Sequence, residues 1–153
     1  MTPLDDIDRR ILRELQRTGR ISNAELGDAV GLSASACHRR IARLEAQGVI
    51  RGYAALLDRT HLSRRTTVFV EITLSGQAVE ILDAFEAAVA RIPDVLECHL
   101  MAGTADYLLK VVVEDAEAFA ALHRRHLARL PGVAQMQSSF SLRRVRDTTE
   151  LPV

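Results

Sequence analysis

No stretch of this 153-residue sequence stays apolar for the ~18 residues that a membrane-spanning helix needs. The opening residues, MTPLDDIDRR, contain no apolar core of a secretion signal, so no membrane partner is expected and the cytoplasm is the expected compartment. Cysteine is scarce. Cys37 and Cys98 both sit inside apolar patterns and are expected as small core residues in a reducing compartment rather than as a disulfide. A glycine-rich phosphate loop of the nucleotide-binding kinds is missing. Metal ligation has little to build on. Cys98 and His99 are neighbours on an expected strand and point to opposite faces, while His123 and His126 share a helical side without a third ligand. No metal, cofactor or catalytic residue is therefore expected.

Net charge is also lacking, with 20 Lys and Arg against 20 Asp and Glu. The balance hides an asymmetry. Residues 1–65 carry 12 Arg and 8 Asp or Glu, whereas residues 66–153 carry 8 basic and 12 acidic residues. A basic half and an acidic half point to two domains with different partners. The excess in the first half is modest, so tight binding to a polyanion would need more than one copy.

The first half reads as helical. Thr2-Pro3 is suited to start a helix, along which Leu4, Ile7, Ile11, Leu12 and Leu15 follow the helical repeat until Gly19. Ser22 and Glu25 form a capping box for a second helix, with Ile21 and Leu26 as its hydrophobic staple. Gly31-Leu32-Ser33 is a tight turn, and Ser33 caps a third helix that ends at Gln47-Gly48. At about 100° per residue, Cys37, Ile41 and Leu44 share one face of that third helix. The opposite face carries Ser35, His38, Arg39, Ala42 and Arg43, with Arg40 on the flank. Two capped helices around a glycine turn, the second with a basic outer side, form a helix-turn-helix that offers one helix to the major groove of DNA. Base-edge contacts are expected from Ser35, His38, Arg39 and Arg43, and phosphate contacts from Ser22, Ser33 and Arg40. Residues 49–57 read as a short hairpin or extended wing, which makes 1–58 a winged helix-turn-helix domain. The polar stretch 59–65 is the expected linker.

The second half, 66–153, alternates strand and helix. Strands are expected at Thr66–Leu74, Val95–Ala102, Asp106–Val113 and Val133–Leu142, and helices at 77–92 and 115–130. Arg91-Ile92-Pro93-Asp94-Val95 and Arg129-Leu130-Pro131-Gly132-Val133 echo each other 38 residues apart, each closing a helix and entering a strand. The order βαββαβ with this echo is a ferredoxin-like sandwich, so the fold class is α+β. Phe69, Leu108 and Val112 would lie on the sheet face away from the helices, a candidate oligomer interface. The loop Gly103-Thr104-Ala105-Asp106 offers backbone donors, a hydroxyl and a carboxylate. These are the groups needed to hold an amino acid, with Met101, Gln137 and Ser139 as expected walls.

The ordered set of Leu4-Asp5, Ile7-Asp8, Ile11-Leu12, Gly19-Arg20-Ile21-Ser22, Gly31-Leu32-Ser33, Arg43-Leu44-Glu45, Gly48-Val49-Ile50 and Gly52-Tyr53 resembles the leucine-responsive regulatory protein (Lrp/AsnC) family of transcription factors. Glu97-Cys98-His99-Leu100, Asp106-Tyr107-Leu108-Leu109 and Leu130-Pro131-Gly132-Val133 extend the resemblance through the second half. It implies a regulator bound to double-stranded DNA, a homodimer that often assembles to an octamer, and a small effector, commonly an amino acid, bound by the second domain. Where the family often has an acidic residue after the hairpin glycine, this chain has Thr104. Siroheme decarboxylases resemble the same architecture, and His99, His123 and His126 would be the residues offered for such an enzyme. The capped and basic third helix favours the regulator.

Overall fold

The computed structural model describes residues 3–153, which form two compact units. The first comprises the residues up to Leu56 together with Arg146–Val153, and the second is Leu57–Val145.

Three helices make up the first unit: α1 Asp6–Arg17, α2 Asn23–Val30 and α3 Ala34–Ala46. Helix α1 does not start at Thr2-Pro3. Thr2 lies outside the described residues, and Asp5 is the cap. The Asp5 side chain accepts from the Asp8 N–H at 2.7 Å, and the Asp8 side chain accepts from the Asp5 N–H at 3.3 Å, a capping box with aspartate in the third helical position. Ile11, Leu26, Cys37 and Leu44 are fully buried where the three helices meet. Burying each of the larger aliphatic side chains stabilises the unit by about 1.5–3 kcal/mol. Beyond α3 the N–H groups of Val49 and Ile50 both donate to the Leu44 carbonyl, which tucks these side chains against the core. Among the described residues, 51–58 pair with no strand, so the segment is not a hairpin. Tyr53 anchors the segment by donating to Glu45 Oε1 at 3.0 Å.

In the second unit, β1 Thr66–Leu74, α4 Val79–Val89, β2 Val95–Leu100, β3 Tyr107–Val113, α5 Ala116–Arg125 and β4 Val133–Phe140 follow the βαββαβ order. The sheet is antiparallel with strand order β2-β3-β1-β4. Val68, Val70, Ile72 and Leu74 alternate onto its covered face, together with Tyr107, Leu109 and Val111. There they meet Phe85 and Val89 of α4 and Phe119 and Leu122 of α5. Helix α5 is shorter than its apolar pattern suggested. His126 leaves helical geometry (φ −126°), and residues Leu127–Arg129 form a 3-10 turn that drops Leu127 into the core. His123 and His126 therefore do not share one regular helical side.

Two other expectations are corrected. Cys37 is buried, but Cys98 is exposed, because β2 is an edge strand and most of it stays in water. Leu142 lies beyond β4 and is fully exposed. The expected linker 59–65 carries bonds of its own. Asp58 accepts from the Thr60 N–H, the Arg64 N–H donates to the Arg59 carbonyl, and the Arg64 guanidinium is paired with Asp94.

Residues 146–153 also leave the second unit for the first. The Gln16 amide donates to the Leu151 carbonyl at 3.1 Å and accepts from its N–H at 2.6 Å, and Val153 packs on the helical core. Gln16→Ala is expected to destabilise the first unit by about 1 kcal/mol, the net worth of a mostly exposed hydrogen-bonded pair. Amide exchange of α1 in the full chain measures this; unchanged protection would mean the tail lends no stability.

Candidate nucleic-acid interface and ligand loop

The turn between α2 and α3 depends on two glycines. Gly31 is left-handed (φ 75°), and the N–H groups of Gly31 and Leu32 both return to the Gly27 carbonyl, closing α2. Gly27 was not singled out in the sequence. A Cβ there would stand 2.5 Å from the Leu32 carbonyl oxygen, so the turn closes only because the side chain is missing. Ser22 and Ser33 are the two caps, their hydroxyls accepting from the N–H groups of Glu25 and Ala36.

Helix α3 sorts its polar residues more finely than helical periodicity predicts. Ser35, His38, Arg39 and Ala42 are exposed. Ser35 lies 3.1 Å from the Ser33 hydroxyl. Arg40 and Arg43 instead turn to α1. Arg40 reaches Asp5 at 2.7 Å and Asp8 at 2.8 Å, and Arg43 reaches the other oxygen of Asp8 at 2.5 Å. Asp8 is 1% exposed and is the only charged residue in the buried core among the described residues. Breaking such a pair leaves an uncompensated buried charge and costs ~3–5 kcal/mol. Both guanidiniums are engaged within the domain, so the expected phosphate contact of Arg40 and base-edge contact of Arg43 would have to compete with Asp5 and Asp8. The hydrogen bonds that Arg40 donates to Asp5 and then to Asp8 raise its pKa further. The Asp8 N–H, followed by Arg40, holds the Asp5 carboxyl below its ordinary 3.8.

The expected ligand loop joins β2 to β3. Met101 N–H donates to the Asp106 carbonyl, and Asp106 N–H to the Ile72 carbonyl, both at 2.8 Å. Asp106 has little left to offer a ligand. One carboxylate oxygen accepts from the Leu74 N–H at 2.7 Å and the other from the Gln77 amide at 3.0 Å. Gly103 and Thr104 are exposed and Ala105 is half-buried. Gln137 pairs with Glu71 and Ser139 with Phe69 on the open sheet face. Ser139 lies ~10 Å farther along the strand from the loop than Met136, the partner of Ile72, so the loop and Ser139 do not meet directly. The same row of the sheet carries Glu71, an exposed carboxylate that the sequence reading passed over, and His99. On β2, Glu97 is bound by Lys110 at 2.6 Å and by His99 at 3.2 Å, which lowers its pKa in that order of importance. Beside the edge strand, burial and then the Glu86 carboxylate push the Tyr107 phenol above its usual range, its hydroxyl donating to Glu86 at 2.6 Å.

Two family models match the chain: a winged helix-turn-helix DNA-binding domain over residues 4–51 and the Lrp/AsnC ligand binding domain over residues 67–151. The chain belongs to the Lrp/AsnC family. It is a transcriptional regulator of that family, with a DNA-binding first half and a ligand-binding second half. Among its Lrp/AsnC relatives, the leucine-responsive regulatory protein of Salmonella typhimurium is 46% identical over 98% of this chain and 92% of its own length. That of Escherichia coli K12 is 45% identical over the same shares. An AsnC family regulator from Agrobacterium tumefaciens superposes with a TM-score of 0.93, at 40% identity over 97% of each chain. A transcriptional regulator from Neisseria meningitidis in complex with L-methionine also has a TM-score of 0.93, at 38% identity over 98% of this chain and 97% of the other.

Gly27→Ala is expected to destabilise this Lrp/AsnC chain by about 1–3 kcal/mol, the usual cost of forcing atoms into a packed site. A glycine replaced in an unstrained helix would instead stabilise by about 0.4–1 kcal/mol, so the sign of the change in a urea titration decides. The depressed Asp5 and Glu25 pKa values, the latter caused first by the Ser22 hydroxyl, contribute stability that is present above their ordinary 3.8 and 4.5. That contribution is lost as pH falls through the lower folded values. Fluorescence-monitored or circular-dichroism unfolding between pH 6 and pH 3, at about 0.1 M salt, should show a shallower loss in Asp5→Asn.

Proposed function

We propose that this regulator reads duplex DNA through Ser35, His38 and Arg39 of α3, with Ser22 and Ser33 contacting phosphates. The observation that carries the reading is the exposure of these three side chains on a helix whose opposite side is fixed by Cys37 and Leu44. Arginine matches guanine bidentately, so Arg39 carries most of the base reading. The working form is a homodimer assembled through the open sheet face, where Phe69 is 38% exposed, with an octamer as the higher assembly. A twofold dimer favours near-palindromic sites with half-sites about one helical turn, ~34–36 Å, apart. The protein binds rather than catalyses, as befits a family of transcriptional regulators, and acts in the cytoplasm where its DNA is.

The effector is an amino acid. Relatives of this length and fold include the Neisseria meningitidis regulator with L-methionine and a Mycobacterium tuberculosis feast or famine regulatory protein complexed with L-methionine, the latter 33% identical with a TM-score of 0.86. In this chain the N–H groups of residues 102–105 donate to no protein group among the described residues and suit a carboxylate. Met101 and Gln137 supply walls. With both Asp106 oxygens engaged, Glu71 is the acceptor for the ammonium group.

Arg39→Ala is expected to cost ~1–3 kcal/mol in site affinity and to relax preference at one base position. Binding to a selected duplex, measured for each base substitution, tests this; an unchanged affinity removes Arg39 from the interface. L-methionine and the other amino acids, each tested at saturating concentration, are expected to include one that raises the melting temperature; at 100-fold over Kd the gain is about 2.7 kcal/mol. Glu71→Gln should weaken that ligand without lowering the ligand-free melting temperature, while Asp106→Asn should lower the ligand-free value itself. A screen with no stabilising amino acid would sink the effector assignment.

A further inference from the structure

Helix α3 carries three arginines, Arg39, Arg40 and Arg43, and the fold treats them unequally. Arg39 is exposed, whereas Arg40 and Arg43 are both bound to Asp8. Asp5 adds a second carboxylate to Arg40, so two cations face two anions and the cluster carries no net charge. The Nε of Arg43 is buried with no hydrogen-bond partner. Arg43 thus gives up one hydrogen bond to keep its other end on Asp8, a sign that its position is imposed by the carboxylate. A phosphate that drew either guanidinium away would leave one oxygen of a nearly waterless carboxylate without its partner.

We propose that Asp8 is a positioning residue for DNA reading, which locks α3 to α1 and withholds Arg40 and Arg43 from the phosphate backbone so that Arg39 alone presents a guanidinium from the helix. Phosphate contacts strengthen binding to every sequence equally, whereas base contacts discriminate. Withholding two cations therefore lowers binding to every sequence alike, whereas holding α3 in one rotation keeps Arg39 aimed at its base, and that aim sustains the ratio of specific to non-specific binding. The chemistry is electrostatic sequestration, with Asp5 and Asp8 competing against DNA phosphates for the same two groups.

The inference rests on α3 being the helix that enters the groove. Its test uses the full-length chain, a duplex selected by the wild type from a randomised pool, and a random duplex of equal length. Asp8→Asn is expected to bind the random duplex more tightly and to steepen the plot of log K against log salt by about 1–2 per protomer, since each released phosphate contact contributes about 0.9. The ratio of selected to random affinity is expected to fall by about tenfold. Adding Arg43→Gln to Asp8→Asn should remove roughly half of the extra slope. Equal slopes and an equal ratio in Asp8→Asn and wild type would overturn the proposal. If Asp8→Asn does not fold, Arg43→Gln decides alone. A wild-type slope supports the proposal, and a slope shallower by about 1 per protomer means that Arg43 already holds a phosphate and overturns it. Failure of the premise looks different, because Arg39→Ala would then leave the selected-to-random ratio untouched.

Discussion

A carboxylate almost sealed from water must be neutralised by something that the fold can hold still, and for Asp8 the neutralising groups come from α3. This requirement fixes where α3 lies against α1. It also fixes which of its arginines face inward. The same carboxylate accepts from the backbone at the start of α1, so the beginning of one helix and the middle of another are joined through a single side chain. Apolar packing of Ile11, Leu26 and Leu44 supplies most of the unit's stability, but it is tolerant of small rotations. The directional bonds to Asp8 are not, and they give α3 a defined rotation about its own axis.

The second unit solves a parallel problem with a different carboxylate. Asp106 stitches the end of β1 to the β2–β3 loop through Leu74 and Gln77. Residues 102–105 are left to project from a rigid base. Loops held in this way place donors without spending further ordering entropy when a ligand arrives. The covered face of the sheet is saturated by α4 and α5, while the opposite face mixes Phe69 and Leu108 with Glu71, Lys110 and Gln137. A face of that composition dissolves alone and still has apolar area to give to a partner.

Regular periodicity made much of this fold legible. Strand β1 spans Thr66–Leu74 as its alternation required, because every second residue is buried against helices. Ser22, Gly31 and Ser33 announced the helix-turn-helix through local hydrogen-bond chemistry. What escaped has a common cause, which is dependence on residues far along the chain. Asp8 and Arg43 are separated by 35 positions, and no local pattern marks them as partners. Cys98 sits in a strand whose apolar look is the same at an edge as in the middle, and only strand order reveals the difference. Gly27 reads as an ordinary helical glycine until the turn carbonyl is seen beside it. The tail beyond β4 has no periodicity at all, so nothing in it signals an attachment to Gln16, 135 residues earlier.

That attachment bears on how the molecule comes into being. The first unit is completed by residues synthesised after all of the second. Chains generally acquire structure from the amino end as they leave the ribosome. Here the amino-terminal helices emerge early, yet their last packing partner, Val153, arrives only after the whole sheet has been translated. The nascent helix-turn-helix therefore waits in an unfinished form, and its maturation is tied to the emergence of residues 146–153 rather than to its own.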